Sequence, residues 1–141
     1  MKKMTQLGIL TASALMVAGF GASPATAANT ARYTSCKTTG ATGDANISGW
    51  KSMDKGIPSV QLSVYDSLSD GHHASIRLGV TYYRGGITYY PWHANNDGAG
   101  TWKMFNSYVP AGSDGITAVW VQVARYEGST QLNLCSSPYL S

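Results

Sequence analysis

The histidines of this chain, with two aspartates nearby, are the side chains whose types could bind a metal ion. His72 and His73 follow Asp70, and Asp97 follows His93 in the next loop region. Adjacent histidines on a strand point to opposite faces, so His72 and His73 could share an ion only in a loop. The sequence contains no HExxH or HxH pairing, and turns also favour aspartate. We therefore predict no metal site and keep His72, His73 and His93 as weak candidates.

Patterns that indicate catalysis are scarce in this sequence. A serine hydrolase would need a GxSxG elbow, which is absent. A glycosidase would need two facing carboxylates, but the 7 acidic residues lie mostly in turn-like runs and Glu127 is the only glutamate. We therefore expect no enzymatic activity, no catalytic residue and no cofactor, with an unassigned hydrolase as the alternative.

Aromatic residues crowd the stretch YYRGGITYYPWH, residues 82–93, and their rings suit binding. Planar rings can stack on the apolar faces of sugars. Tyrosine, tryptophan and arginine are also enriched where proteins bind each other. The candidate contact residues are Tyr83, Tyr90, Trp92 and Arg77. The alternative is purely structural, since such rings also lie under loops or cover a sheet.

The two cysteines of the chain, Cys36 and Cys135, lie far apart in the sequence. In an oxidising compartment we expect them to form a disulfide that clamps the first strand to the last. A reactive thiol or a metal ligand is the alternative, but no CxxC motif supports either.

Alternation of apolar and polar residues predicts the elements that position these side chains. It is clearest at Val60, Leu62 and Val64 and in the run 74–82. Further strands are predicted at 32–38, 45–51, 87–92, 101–109, 116–125 and 130–135. Clusters of Gly, Asp, Asn and Pro separate them. About seven or eight short strands in succession predict an all-β domain, an antiparallel β-sandwich or barrel, of which we prefer the single sandwich.

The glycine pair Gly85-Gly86 predicts how the aromatic stretch folds. A two-residue type I′ turn needs positive φ at both central positions, which suits glycine. Directly opposed residues of a hairpin share a face. The predicted pairs are Arg84–Ile87, Tyr83–Thr88, Tyr82–Tyr89, Thr81–Tyr90 and Gly79–Trp92.

This register assigns the aromatic side chains to two faces, because Ile76, Leu78 and Val80 mark the inner one. The predicted inner residues are Tyr82, Ile87 and Tyr89. The predicted outer residues are Tyr83, Tyr90, Trp92, Thr81 and Arg77. The ring of Trp92 would lie over the bare backbone of Gly79. Pro91 cannot donate to a ladder, so the second strand should be an edge near Tyr90. A slip of one residue would exchange the two sets.

The last two strands also have assignable faces. Val119, Val121 and Val123 are predicted on the drier face of a central strand. The opposite face receives Ile116, Ala118, Trp120, Gln122 and Ala124. In the final strand, Cys135 alternates with Leu132 and Leu134 and is predicted on the other face from them.

The N-terminal residues have the features of a secretory signal peptide. Lys2 and Lys3 form a positive region, 7–20 is apolar, and 25–27 supplies small residues for cleavage. We predict a signal peptide at 1–27 and a secreted, extracellular domain at 28–141, with an uncleaved anchor as the alternative. Without Lys2 and Lys3, eight basic residues face 7 acidic ones. This near-neutral balance predicts no nucleic-acid partner and no membrane surface after cleavage.

One resemblance covers about residues 66–137. It rests on SLSDGHHASIRL at 67–78, on Trp92-His93, on the DGAGTW stretch at 97–102 and on the strand 115–125 that precedes Cys135. In these motifs the chain resembles small secreted β-sandwich proteins of actinobacteria. The resemblance implies an extracellular single-domain protein and transfers no catalytic residue.

Together these features predict a secreted, non-enzymatic binding module that meets its partner through an outer aromatic face. The expected partner is an extracellular protein or a glycan. The alternatives are a carbohydrate- or cell-wall-binding module and a secreted inhibitor of extracellular hydrolases. An inhibitor would need a protruding loop, for which 95–100 and 110–115 are the candidates.

Overall fold

The structure, a computed structural model, describes residues 30–141. The predicted signal peptide at 1–27 lies outside these residues. Between residues 30 and 141 there is no helix long and apolar enough to cross a membrane.

Within residues 30–141, nine β-strands form two antiparallel sheets that pack face to face. They are β1 (Arg32–Thr38), β2 (Ala41–Ser48), β3 (Ile57–Asp66), β4 (His73–Tyr82), β5 (Ile87–Tyr89), β6 (His93–Asn95), β7 (Trp102–Val109), β8 (Ile116–Glu127) and β9 (Thr130–Ser136). The first sheet has the order β1-β2-β3-β7. The second has the order β5-β4-β8-β9, and β6 pairs with β4 beside β5. The predicted all-β sandwich is therefore confirmed.

The core lies between the two sheets and is built by the alternation visible in the sequence. From the first sheet it takes Val60, Leu62 and Val64, which are at most 1% exposed. From the second it takes the alternating apolar residues of β4 and β8, namely Ile76, Leu78, Val80, Val119, Val121 and Val123. Each of these strands thus buries one face against the facing sheet.

A disulfide joins Cys36 of β1 to Cys135 of β9, across the two sheets. Their Cα atoms are 6.1 Å apart, and the residues are separated by 99 positions. The predicted clamp of the first strand to the last is confirmed. Leu132 and Leu134 are 42% and 41% exposed on the other face of β9, as the alternation predicted.

The predicted register of the aromatic hairpin is wrong. Thr81 pairs with Ile87 and Gly79 with Tyr89, so the connection contains residues 82–86 rather than two glycines. The Gly85 N–H donates to the Tyr82 carbonyl at 3.0 Å. Both glycines have positive φ, 87° and 97°, but they end a longer turn instead of forming its centre.

The longer turn shifts the register by an odd number of residues, which exchanges the two faces of β5. Ile87 and Tyr89, predicted inside, are 55% and 44% exposed. Tyr90, predicted outside, packs against the core together with Tyr82. Of the predicted strand 87–92 only 87–89 is strand, as β5; the pairing stops before Pro91, which cannot donate to the ladder, and resumes in β6 at His93.

A tryptophan does cover Gly79, but it is Trp120 and not Trp92. Trp120 of β8 is the cross-strand partner of Gly79, and its side chain is 1% exposed. The prediction that Ile116 shares a face with Trp120 is also wrong. A register shift after Thr81 brings Ile116 opposite Tyr82, which returns Ile116 to the core.

Candidate functional site

A continuous row of side-chain contacts crosses the outer face of the second sheet. We call it the aromatic row, and in order it consists of Tyr139, Trp120, Tyr89, Arg77, Trp92, Tyr126 and His73. The four successive ring–ring centroid distances are 4.7 Å for Tyr139–Trp120, 5.9 Å for Trp120–Tyr89, 5.6 Å for Trp92–Tyr126 and 5.7 Å for Tyr126–His73. The strand pairing produces this row, because Gly79, Arg77 and His73 of β4 lie opposite Trp120, Gln122 and Tyr126 of β8.

Arg77 lies at the centre of the row with its guanidinium between two rings. The carbon Cζ is 4.2 Å from the centroid of Tyr89 and 4.5 Å from that of Trp92. The ring faces are electron-rich, so they stabilise the cation. The guanidinium also donates from Nε and Nη2 to Gln122 Oε1, at 2.9 and 2.7 Å. Gln122 in turn donates from Nε2 to Ser136 Oγ at 3.0 Å, which holds Gln122 in place as the acceptor for Arg77.

The row combines a buried floor with exposed rings. Trp120 is 1% exposed, whereas Tyr89 and Tyr139, which contact its ring, are 44% and 65% exposed. Leu134 lies on the same face because it pairs with Ala124 of β8. The pKa of Tyr126 lies above its usual value, because burial raises it and the positive charge of Arg77 offsets only part of that rise. The arrangement is a rigid, partly apolar surface with one central cation.

The four predicted contact residues divide into two groups. Arg77 and Trp92 belong to the aromatic row. Tyr90 does not, because it points inward, where burial and a hydrogen bond to Tyr82 raise its pKa to about 12. Tyr83 is 69% exposed in the turn after β4, where its N–H donates to the Gly115 carbonyl at 2.9 Å. Tyr89 takes the place predicted for Tyr90, because the turn is longer than the two residues predicted.

The three candidate histidines are not brought together. His73 stacks on Tyr126, and His93 stacks on Phe105 at 4.8 Å. His72 instead lies by Asp70 at 3.2 Å. Among residues 30–141 no group of three or more His, Cys, Asp or Glu side chains is placed to hold a metal ion.

Asp70 forms an ion pair with Arg125, whose side chain is only 13% exposed. Nη2 of Arg125 also lies 2.6 Å from His72 Nδ1. Asp70 and His72 line a polar cleft of about 380 Å³, together with Asn95 at the end of β6. The network closes one end of the sandwich, because Cδ of Arg125 packs against Gly40. We interpret it as structural.

Each of the two loops predicted for an inhibitor is hydrogen-bonded to another segment of the chain. The Gly100 N–H donates to the Asp66 carbonyl at 2.7 Å. The Gly112 N–H donates to the Lys55 carbonyl at 2.9 Å. Asn95 is fully buried, and its amide donates to the Thr101 carbonyl at 2.8 Å. Both loops are thus held in place near their bases.

A second exposed aromatic surface, which the sequence analysis missed, lies on the first sheet. The edge strand β7 exposes Trp102, Met104 and Tyr108, at 53%, 66% and 63%. The signal was present as alternation at 102, 104, 106 and 108. Phe105, on the other face of β7, made the outer face hard to recognise.

Comparison with protein-family models, curated proteins and solved structures finds no match for this chain. The fold and the two surfaces define the class of protein as a disulfide-linked antiparallel β-sandwich with exposed aromatic side chains on both sheets.

Proposed function

We propose that this chain is a secreted, non-enzymatic binding module that contacts an extracellular protein through the outer face of its second sheet. The observation that carries the proposal is Arg77, fixed between the rings of Tyr89 and Trp92 in a row that ends at the exposed Tyr139. The proposal assigns no catalytic residue and no cofactor.

The residue types of this face favour a protein partner. Tyrosine, tryptophan and arginine dominate the energetics of protein interfaces, and exposed leucines such as Leu134 add apolar area. The row is already ordered by ring contacts and by the Gln122 hydrogen bonds. The side chains of the row would therefore lose little conformational entropy when a partner binds.

A glycan is a weaker candidate for the same face. A sugar stacks on an open ring face. Here Arg77 fills the space between Tyr89 and Trp92, so the two rings do not form one continuous stacking platform, and the indole of Trp120 is buried. The open surface is better suited to apolar and hydrogen-bonding groups of a protein. Inhibition of an extracellular hydrolase is one form of such contact, and assays against secreted proteases and glycosidases test it.

The disulfide is compatible with an oxidising, extracellular location. The signal peptide expected at 1–27 supports secretion in the same way. The resemblance to small secreted actinobacterial proteins also agrees with secretion.

Capture of a partner from culture fluid of the producing organism tests the proposal. The wild type and a Tyr89→Ala/Tyr139→Ala variant would be immobilised in parallel, with Tyr33→Ala/Tyr108→Ala on the first sheet as the matched control. Both pairs are exposed, so all three proteins should fold. The proposal expects a protein that is retained by the wild type and the control but lost with the Tyr89/Tyr139 variant. Equal capture by all three would refute contact through this face.

A further inference from the structure

The outer face of the first sheet carries its own ordered aromatic platform, on the opposite side of the sandwich from the aromatic row. Trp102 at the start of β7 pairs with Tyr65 of β3. Their rings stack with centroids 5.1 Å apart and planes inclined by 27°. One face of the Trp102 ring is therefore supported, while 53% of the side chain remains exposed. A ring held in this way is ready to stack on a ligand without further ordering.

A line of polar groups runs from this platform across the sheet. Met104 of β7 lies opposite Ser63 of β3, and Ser63 lies opposite Asp44 of β2. Neighbouring strands are about 4.8 Å apart, so Asp44 and Met104 are about 10 Å from each other at the backbone. These residues and Trp102 line an open depression of about 340 Å³. The depression thus combines one open ring, one thioether, one hydroxyl and one carboxylate.

The charge of this face restricts what could bind there. The residues of β2, β3 and β7 whose side chains share the outer face are Thr42, Asp44, Asn46, Ser48, Ser59, Gln61, Ser63, Tyr65, Trp102, Met104, Asn106 and Tyr108. Asp44 is the single charged side chain among these twelve, and Lys37 of β1 lies on the same face opposite Thr42. A polyanion such as a nucleic acid or an acidic polysaccharide would meet one cation beside one carboxylate, which gives no net attraction. The hydroxyls and amides instead complement a neutral ligand that is rich in hydroxyl groups.

Asp44 is less well solvated than a surface carboxylate normally is. Burial raises its pKa, and the hydrogen bond with Ser63 only partly offsets this effect. A carboxylate held at the centre of a sheet face and partly withdrawn from water is a candidate for a role in binding. Hydroxyl groups of a ligand can donate to it and replace the water that it has lost.

We infer that the depression between Trp102 and Asp44 binds a neutral polysaccharide. The apolar face of one sugar ring stacks on Trp102, hydroxyl groups of the sugar donate to Asp44, and the Ser63 hydroxyl donates to or accepts from another. The open, shallow form of the depression suits an internal segment of an extended chain. This site lies on the other sheet from the protein-contact face and does not rest on the function proposed above.

A competing occupant is a strand added to the free edge of β7, which would pair with backbone groups and cover Trp102 and Met104. The two alternatives differ at Asp44. Edge pairing uses the backbone of β7 and does not need a carboxylate two strands away, whereas the glycan does. Asp44→Asn therefore separates them with almost no change in shape.

Affinity electrophoresis of the secreted, disulfide-intact protein tests the inference. The probes are arabinoxylan, galactomannan and hydroxyethyl cellulose in the gel and chitin in a sedimentation assay, with polygalacturonate as the anionic control. We expect at least one neutral probe to retard or sediment the protein. Trp102→Ala should weaken that binding about tenfold and Asp44→Asn about three- to tenfold. Trp102→Phe, which keeps a ring, should retain most of it, and Tyr139→Ala on the second sheet should bind as the wild type does.

Several results would overturn the inference. One is the absence of binding to all four neutral probes. Another is Trp102→Ala binding that equals the wild type while near-ultraviolet circular dichroism shows the variant to be folded. A third concerns the oligomeric state in analytical ultracentrifugation. If the wild type is a dimer, and Trp102→Ala dissociates it while Asp44→Asn does not, the platform serves edge pairing.

Discussion

Trp120 lies flat against the backbone of Gly79, its cross-strand partner. A Cβ atom added to Gly79 would come within 2.6 Å of Cζ2 and 2.8 Å of Nε1 of the indole. This close approach allows Trp120 to be buried on the outer face of a sheet. It also supports the two exposed tyrosines, Tyr89 and Tyr139, whose rings contact the indole edge-on.

Gly79→Ala should therefore destabilise the fold, because the indole must move away from the sheet. We expect a loss of about 1–3 kcal/mol in the free energy of unfolding, the usual cost of overpacking. Urea denaturation followed by tryptophan fluorescence measures it. Gly112→Ala is the matched control, since its Cβ would meet only the Lys55 carbonyl oxygen, at 3.9 Å. Equal stability of the two variants would contradict the packing described here.

Asp70 should matter for stability because it is the partner of the buried Arg125. Asp70→Ala leaves a guanidinium that is 13% exposed without its carboxylate, and Arg125 Nε already has no hydrogen-bond partner among residues 30–141. We expect a loss of about 1–3 kcal/mol. The control is Asp97→Ala, which breaks the exposed pair with Lys103 and should cost at most about 1 kcal/mol. Thermal unfolding of both variants compares them, and a larger loss for Asp97→Ala would refute this ranking.

Tyr90 should make the fold sensitive to alkali. Its pKa is raised from 10.0 to about 12 by burial and by Tyr82, so the folded state favours the neutral phenol. The stabilisation is complete below the unfolded pKa near 10 and is lost as the pH rises through the folded value near 12. Tyr90→Phe should flatten the decline in unfolding free energy between these two values. Parallel pH profiles for the wild type and Tyr90→Phe would show that Tyr90 does not contribute.

The disulfide should contribute strongly because it closes a long loop. In the chain-entropy model a loop of about 100 residues contributes about 4–5 kcal/mol. The double variant Cys36→Ala/Cys135→Ala should therefore unfold at a markedly lower urea concentration than the wild type. A thiol assay of the unfolded, unreduced wild type should find no free thiol. Two titratable thiols would show that the bridge does not form.

The fold was predictable where one face of a strand is apolar and the other polar. The alternation in β3 and β4 identified the core residues Val60 and Ile76 correctly, and Cys36 and Cys135 predicted the link between the sheets. In these cases burial alone decides which face turns inward.

The candidate site was harder to predict because it depends on the length of one turn. Gly85 and Gly86 do need positive φ, but the same requirement is met in a longer turn, and sequence does not separate the two. Choosing the shorter turn placed Tyr90 on the outer face and Tyr89 on the inner face, the reverse of the structure. In β7 the failure was different, because Trp102 and Phe105 lie on opposite faces and either could have been the inner one.

Oxidative footprinting of the tyrosines tests the central claim most directly, with the protein alone and in the complex recovered from culture fluid. Tyr89 and Tyr139 report on the second sheet, and Tyr33 and Tyr108, 59% and 63% exposed, report on the first. Contact through the aromatic row predicts protection of Tyr89 and Tyr139 with unchanged oxidation of Tyr33 and Tyr108. Unchanged oxidation of Tyr89 and Tyr139 in the complex would contradict it.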